Sequence, residues 1–124
     1  MLLIPKYIAK HELKPLLRYL SIEDIVNGAK KVSKSLAVEI KSPRALPGFR
    51  FFKVRIGQRS NARMIAFLLV ANGKVVPLLI RLKKDKLFGM NMSMNNQNVV
   101  AMMNRNLDHV LENIAEKDYE EFEL

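Results

Sequence analysis

GFRFFKVRIGQRSNARM, residues 48–64, decides how this chain is read. It holds five cations (Arg50, Lys53, Arg55, Arg59 and Arg63), three phenylalanines and no acid. Successive side chains of a strand point to opposite faces. Phe52, Val54 and Ile56 therefore share one face, while Phe51, Lys53 and Arg55 share the other. The first face suits a core, and the second carries positive charge with nothing nearby to neutralise it. Residues 57–61 read as a polar connection. Residues 62–71, almost continuously apolar after Arg63, read as a central strand.

Downstream, Asn72-Gly73 is a hairpin signal of the kind that requires positive φ at both turn positions. Residues 74–82 return as the partner strand, which ends in KKDK (83–86) and a loop over 87–91. From about Asn95 a long helix is expected, with Val99, Met103, Leu107, Val110, Leu111 and Ile114 on one face. Met90, Met92, Met94, Met102 and Met103 read as flexible filler beneath it, or as an adaptable groove for a partner helix. The acidic tail from about residue 116 is expected to fray, or to fold over the basic face.

Upstream, KSPRALPG (41–48) is a loop with two prolines and a glycine. Ser21 and Asp24 form a shortened capping box that opens a helix over about 22–38. Gly28 inside it costs about 1 kcal/mol relative to alanine and marks a place for a kink. HELKPLLRYL (11–20) reads as a short helix. LLIPKYIA (2–9) reads as a first strand, placed at an edge or bulge by Pro5. The expected fold is α+β, one domain over 1–124 in the order β-α-α-β-β-β-α. Its helices pack on a small twisted antiparallel sheet into which the first strand pairs back.

Composition narrows the function classes. The chain has 124 residues and 49% hydrophobic content, enough for one core and not for two. Without cysteine there is neither a disulfide framework nor a thiolate metal site. His11 and His109 are too far apart in sequence for zinc spacing and read as surface or capping residues. No apolar run approaches a membrane span, and Pro5 and Lys6 interrupt the first residues too early for a secretory signal, so a cytoplasmic location is expected. The net charge of +9 is uneven. Residues 108–124 hold seven acids against Lys117, leaving +15 on residues 1–107. Between Lys41 and Lys86, 12 cations face one acid, Asp85. Such a field gathers polyanions, of which nucleic acid is the commonest. An acidic protein partner and a purely solubilising surface are the alternatives.

The basic stretch lacks the carboxylate pairs that two-metal or glycosidase-like chemistry needs, and the five glycines are too scattered for a phosphate loop. Cations alone can cleave RNA, which supplies its own 2′-OH nucleophile. A lysine with a pKa lowered by neighbouring cations accepts the proton, arginine stabilises the phosphorane-like transition state, and an acid protonates the 5′-oxygen.

The element order, the proline-glycine loop, FFKVR, NAR opening a strand, the hairpin and a strand ending in LKKDK together resemble the RelE/ParE superfamily of toxins from bacterial toxin–antitoxin systems. The resemblance spans roughly residues 12–92. It implies a toxin without cofactor or metal, an endoribonuclease that cleaves mRNA in the ribosomal decoding site, inhibits translation and is neutralised by an antitoxin protein. By the same resemblance Lys53 is the base, Arg55 binds phosphate, and Arg63 stabilises the scissile phosphate. Arg50, Arg59, Arg81, Lys83, Lys84 and Lys86 then contact RNA. The sequence departs from the family at Ala62, where an aromatic is frequent, and in having no tyrosine after the basic strand end. Phe88 can stack but cannot transfer a proton, and Tyr119 lies in the acidic tail. The alternatives are a ParE-like toxin that binds a protein target such as gyrase, or a basic RNA-binding module. In those readings Lys53 and Arg55 belong to a solvated sheet face.

Overall fold

The structure, a computed structural model, describes residues 1–85 and 93–124. Along the chain come β1 (Leu2–Pro5), α1 (Lys6–Ile8), α2 (Ile22–Ser33), β2 (Val38–Ile40), β3 (Phe49–Ile56), β4 (Ala62–Leu69), β5 (Lys74–Leu82), α3 (Gln97–Ala115) and β6 (Tyr119–Phe122). The α+β class holds, but the sheet is mixed rather than antiparallel. Its six strands run β2-β3-β4-β5-β1-β6, with β1 parallel to β5 and every other pair antiparallel.

Two expectations about the chain ends are corrected together. β1 is an interior strand, not an edge, because the acidic segment expected to fray pairs with it as β6, from Leu2 opposite Phe122 to Pro5 opposite Tyr119. α3 stops at Ala115 and Lys117 takes a left-handed φ of 56°. The N–H of Lys117 then donates to Ile114 O, and that of Asp118 to Asn113 O. This closure satisfies the last carbonyls and turns the chain back toward β1.

α2 ends the same way at Ser33, short of residue 38. Ser35 is left-handed (φ 59°), its N–H donates to Val32 O, and Leu36 N–H donates to Lys31 O. The Ser21–Asp24 capping box is formed in both directions, at 2.9 and 3.2 Å. Gly28 does not break the helix. It lets α2 lie close on the sheet, since a Cβ there would stand 2.6 Å from Ile56 Cγ2 and 2.8 Å from Met64 Cε. Replacing Gly28 by valine will therefore destabilise the fold by about 1–3 kcal/mol, read as a lower urea midpoint, whatever helix propensity gains. A midpoint at or above wild type would show that α2 has room to move away.

The N-terminal helix is irregular around Pro15. From α1 the chain continues through a π-helical turn (Ala9–Leu13) and a 3-10 turn (Lys14–Leu16). Pro15 has no N–H to give and would clash inside a regular α-helix, so the turns widen and tighten around it. This segment presents Glu12, 4% exposed, to β5.

β5 lies between β4 and β1 despite Pro77, which cannot donate to a ladder. A bulge resolves the conflict: Ile65 faces Leu79 while Ala66 faces Pro77, so Leu78 is the extra residue. Asn106 of α3 donates to Leu78 O at 2.8 Å. The β4–β5 connection is wider than the two-residue turn expected from Asn72-Gly73. Only Gly73 among residues 70–73 has positive φ, at 70°.

The core is continuous. β1 is buried at all four positions and β4 over its first six. Phe51, Ile65 and Phe67, on the sheet face opposite α2, are as fully enclosed as Ile56 and Met64 on the α2 face, so both faces are covered. α3 packs on β5 and β1 and contributes Val99, Met103, Leu107 and Val110. Met103 is core, Met94 and Met102 are half-buried against it, and Met90 and Met92 lie outside the described residues. Among the described residues no helix is long and apolar enough to cross a membrane.

Candidate nucleic-acid interface

Strand register creates the site. Arg55 on β3 pairs with Arg63 on β4, and Arg63 pairs with Arg81 on β5. Three arginines thus stand in one row across three adjacent strands, on the face opposite α2. Lys53 lies two residues from Arg55 on the same face, opposite Ile65. Directly opposed side chains of an antiparallel pair have Cβ atoms about 5 Å apart, and like charges at that spacing repel. The fold contains a concentrated positive row held by backbone pairing.

The three arginines are not equivalent. Arg81 is neutralised by Glu12, whose Oε1 also accepts from Ile80 N–H at 2.7 Å, and stands 3.9 Å from Asp85. Arg63 is only 7% exposed, and no carboxylate pairs with it among the described residues. Burial, and after it the Arg55 charge, pull its guanidinium below the usual arginine value. It remains protonated at any working pH. Its NH1 donates to Ser60 O at 2.8 Å and Ala62 O at 3.1 Å. Arg55 is exposed, and Lys31 of α2 donates to its carbonyl at 3.2 Å.

The bonds from Arg63 brace an unusual turn between β3 and β4. Gly57 has φ 82°, and Arg59 and Ser60, neither a glycine, take φ of 53° and 54°. Left-handed backbone at two consecutive non-glycine residues is uncommon and clusters at functional loops. The turn is tied to the end of β5 by Lys83 N–H, which donates to Asn61 O at 2.8 Å. Between them lies a cavity of about 480 Å³ lined by Tyr19, Arg59, Asn61, Leu82, Lys83 and Lys84.

The residues expected to act together are therefore divided. Arg55, Arg63 and Arg81 form the row and Lys53 shares its face, while Arg59, Lys83 and Lys84 gather at the sheet end around Tyr19. Arg50 belongs to neither. It points to the other face, opposite Leu68, and forms a two-pronged pair with Glu39 of β2 at 2.6 and 3.1 Å. That hydrogen bond, reinforced by the Arg50 charge, holds the Glu39 carboxyl below its usual range. Lys86 and Phe88 lie outside the described residues. Phe51 and Phe52 are buried and Phe49 half-buried, with Phe67 5.1 Å from Phe49 and 5.6 Å from Phe51, so these rings are core.

Sequence reasoning missed Tyr19 and Glu12. Tyr19 lies about 40 residues before the turn it covers, and Glu12 nearly 70 before its partner. The only local signals were an exposed aromatic in a linker and a lone acid in a leucine-rich helix. The two histidines also have a position that spacing could not show. Both lie against Tyr7: His109 stacks on its ring with centroids 4.1 Å apart, and His11 is tilted by 34° at 4.4 Å. No group of three His, Cys, Asp or Glu side chains that could hold a metal gathers among the described residues. No protein-family model, curated protein or solved structure matches the chain.

Proposed function

We propose that the protein is a RelE-like toxin, a basic endoribonuclease acting on mRNA at the ribosome and restrained by an antitoxin protein. One observation carries the reading. Arg55 and Arg63 are paired in register on the face that also bears Lys53, and Arg63 is nearly buried without a carboxylate partner among the described residues. A fold gains nothing from opposing two arginines at this spacing. An incoming phosphate turns the repulsion into binding, since its oxygens accept from both guanidinium groups. In this reading Lys53 takes the 2′-OH proton, and the 2′-oxygen bonds to phosphorus as the P–O5′ bond breaks. Arg55 holds the phosphate, Arg63 stabilises the charge that grows in the transition state, and solvent water protonates the leaving 5′-oxygen.

The test is a Lys53→Ala, Arg63→Ala double variant with far-ultraviolet circular dichroism and an unfolding transition showing that it still folds. Expression of the wild type is expected to arrest growth and fragment mRNA, and the variant to do neither. Arrest by the folded variant would remove ribonuclease action on this face from consideration. A second reading draws on the bonds from Arg63 NH1 to Ser60 O and Ala62 O. An arginine used as a brace for the turn suits a non-catalytic module that binds RNA or a protein target such as gyrase. RNA bound but left intact by purified protein and ribosomes favours that reading.

A further inference from the structure

We propose that the cavity at the sheet end is a nucleobase site, in which an unpaired base of single-stranded RNA stacks on Tyr19 while Arg59, Lys83 and Lys84 hold its flanking phosphates. This rests on the reading of the protein as RNA-directed. It adds a residue that does not belong to the arginine row and a preference for unpaired bases over duplex.

Tyr19 sits in the linker between the N-terminal helical segment and α2, and 43% of its surface is exposed. Its position over the cavity is fixed by its neighbour. Leu20 is 3% exposed, and its Cδ2 packs where a Cβ on Gly57 would stand only 2.8 Å away. Gly57 therefore serves twice, supplying the positive φ that starts the turn and leaving space for Leu20. A half-exposed aromatic ring on a fixed backbone, beside an apolar Leu82 wall, is what a planar base requires.

The cations complete the site. Lys84 Nζ lies 4.8 Å from the Tyr19 ring centroid, a cation–π contact on an exposed ring. Base–aromatic stacking is stronger than such a contact in water. An arriving base therefore takes over the ring face, and the ammonium moves onto the adjacent phosphate. Arg59 reaches the same space from the strained turn, and Lys83 is fixed at the backbone by its bond to Asn61 O. Asn61 also lines the cavity, and its Oδ1 is buried without a hydrogen-bond partner among the described residues. The volume, about 480 Å³, is within the range of sites for small organic ligands and accommodates one nucleotide.

Fluorescence anisotropy with a labelled ten-nucleotide single-stranded RNA, and with its duplex, tests the assignment. Tyr19→Ala is expected to weaken single-strand binding by roughly tenfold. The same change should leave duplex binding unaltered, and Tyr19→Phe should retain wild-type affinity for both. Lys83→Ala with Lys84→Ala should weaken both ligands and flatten the salt dependence of binding. If Tyr19→Ala binds single strands like wild type while the lysine variant is impaired, the base site is overturned and the RNA-directed reading stands. If the wild type binds neither RNA, both fall. Because Tyr19 is half-exposed, an unchanged unfolding transition will show that the variant is folded.

Discussion

Replacing Glu12 by alanine will lower the unfolding free energy by about 3–5 kcal/mol, the usual cost of removing one partner from a buried ion pair. Two groups lose their acceptor at once. Ile80 N–H is left buried and unsatisfied in a central strand, and Arg81 loses the charge that neutralises it beside Arg63. Glu12→Gln keeps an acceptor for Ile80 and removes only the charge, so it should fall between alanine and wild type. The informative variant is Glu12→Leu combined with Arg81→Leu, which removes both charges and should recover much of the loss, because apolar replacement of a whole buried pair is close to neutral. Urea unfolding midpoints of the four proteins check this. If the double variant is as unstable as Glu12→Ala, the cost comes from the Ile80 amide and not from an exposed imbalance in the arginine row.

Truncation after Asp118 is expected to cost on the order of 4–6 kcal/mol, a large part of the 5–15 kcal/mol that holds a typical domain together. It removes the β6 ladder and two half-buried aromatics, Tyr119 and Phe122, and it exposes the edge of β1. That edge carries Leu2, Leu3 and Ile4, none more than 3% exposed. An apolar unpaired edge recruits other chains, so the truncated protein should also form larger species in size-exclusion chromatography. The acidity of the segment is separable from its pairing. Glu120→Gln with Glu121→Gln, both exposed, should leave the urea midpoint near wild type. A stable, monomeric truncation would show that the β6 ladder is dispensable, and a charge variant as unstable as the truncation would show that β6 matters through its carboxylates.

The parts of the fold that the sequence revealed are those where local pattern and tertiary role agree. FRFFKVRI alternates because β3 has two distinct faces, and the apolar run of β4 reflects cover on both sides. The helix starts at Ser21 was legible because its cap lies within four residues. The end of α2 was not, because Ser35 fills a left-handed position where glycine is the usual signal, whereas α3 stops at Ala115, where the apolar face ended and the acidic tail began. β2 and β6 were also hidden. VEI and YEEF have little strand pattern of their own and become strands through their partners β3 and β1.

For the candidate site, parity placed Lys53 and Arg55 together, and the polar connection brought Arg63 opposite Arg55. Arg81 joined that row through β5 register, but the bulge at Leu78 shifts the pairing further along the strand, so counting back from the hairpin places it on the wrong face. Arg50 was grouped with the other cations by composition, yet it is an even-numbered neighbour of Phe52 and follows that residue to the α2 face. Tyr19 entered through long-range packing of Leu20 against Gly57, which no periodicity encodes.

The position of β1 between β5 and β6 also bears on how the molecule comes to be folded. Its partners are among the latest strands to be synthesised, and Leu2 pairs with Phe122. Contacts this distant in sequence close large loops and slow folding. β1 therefore stays unpaired until β5 has been made, and its second edge is filled only when the acidic strand arrives.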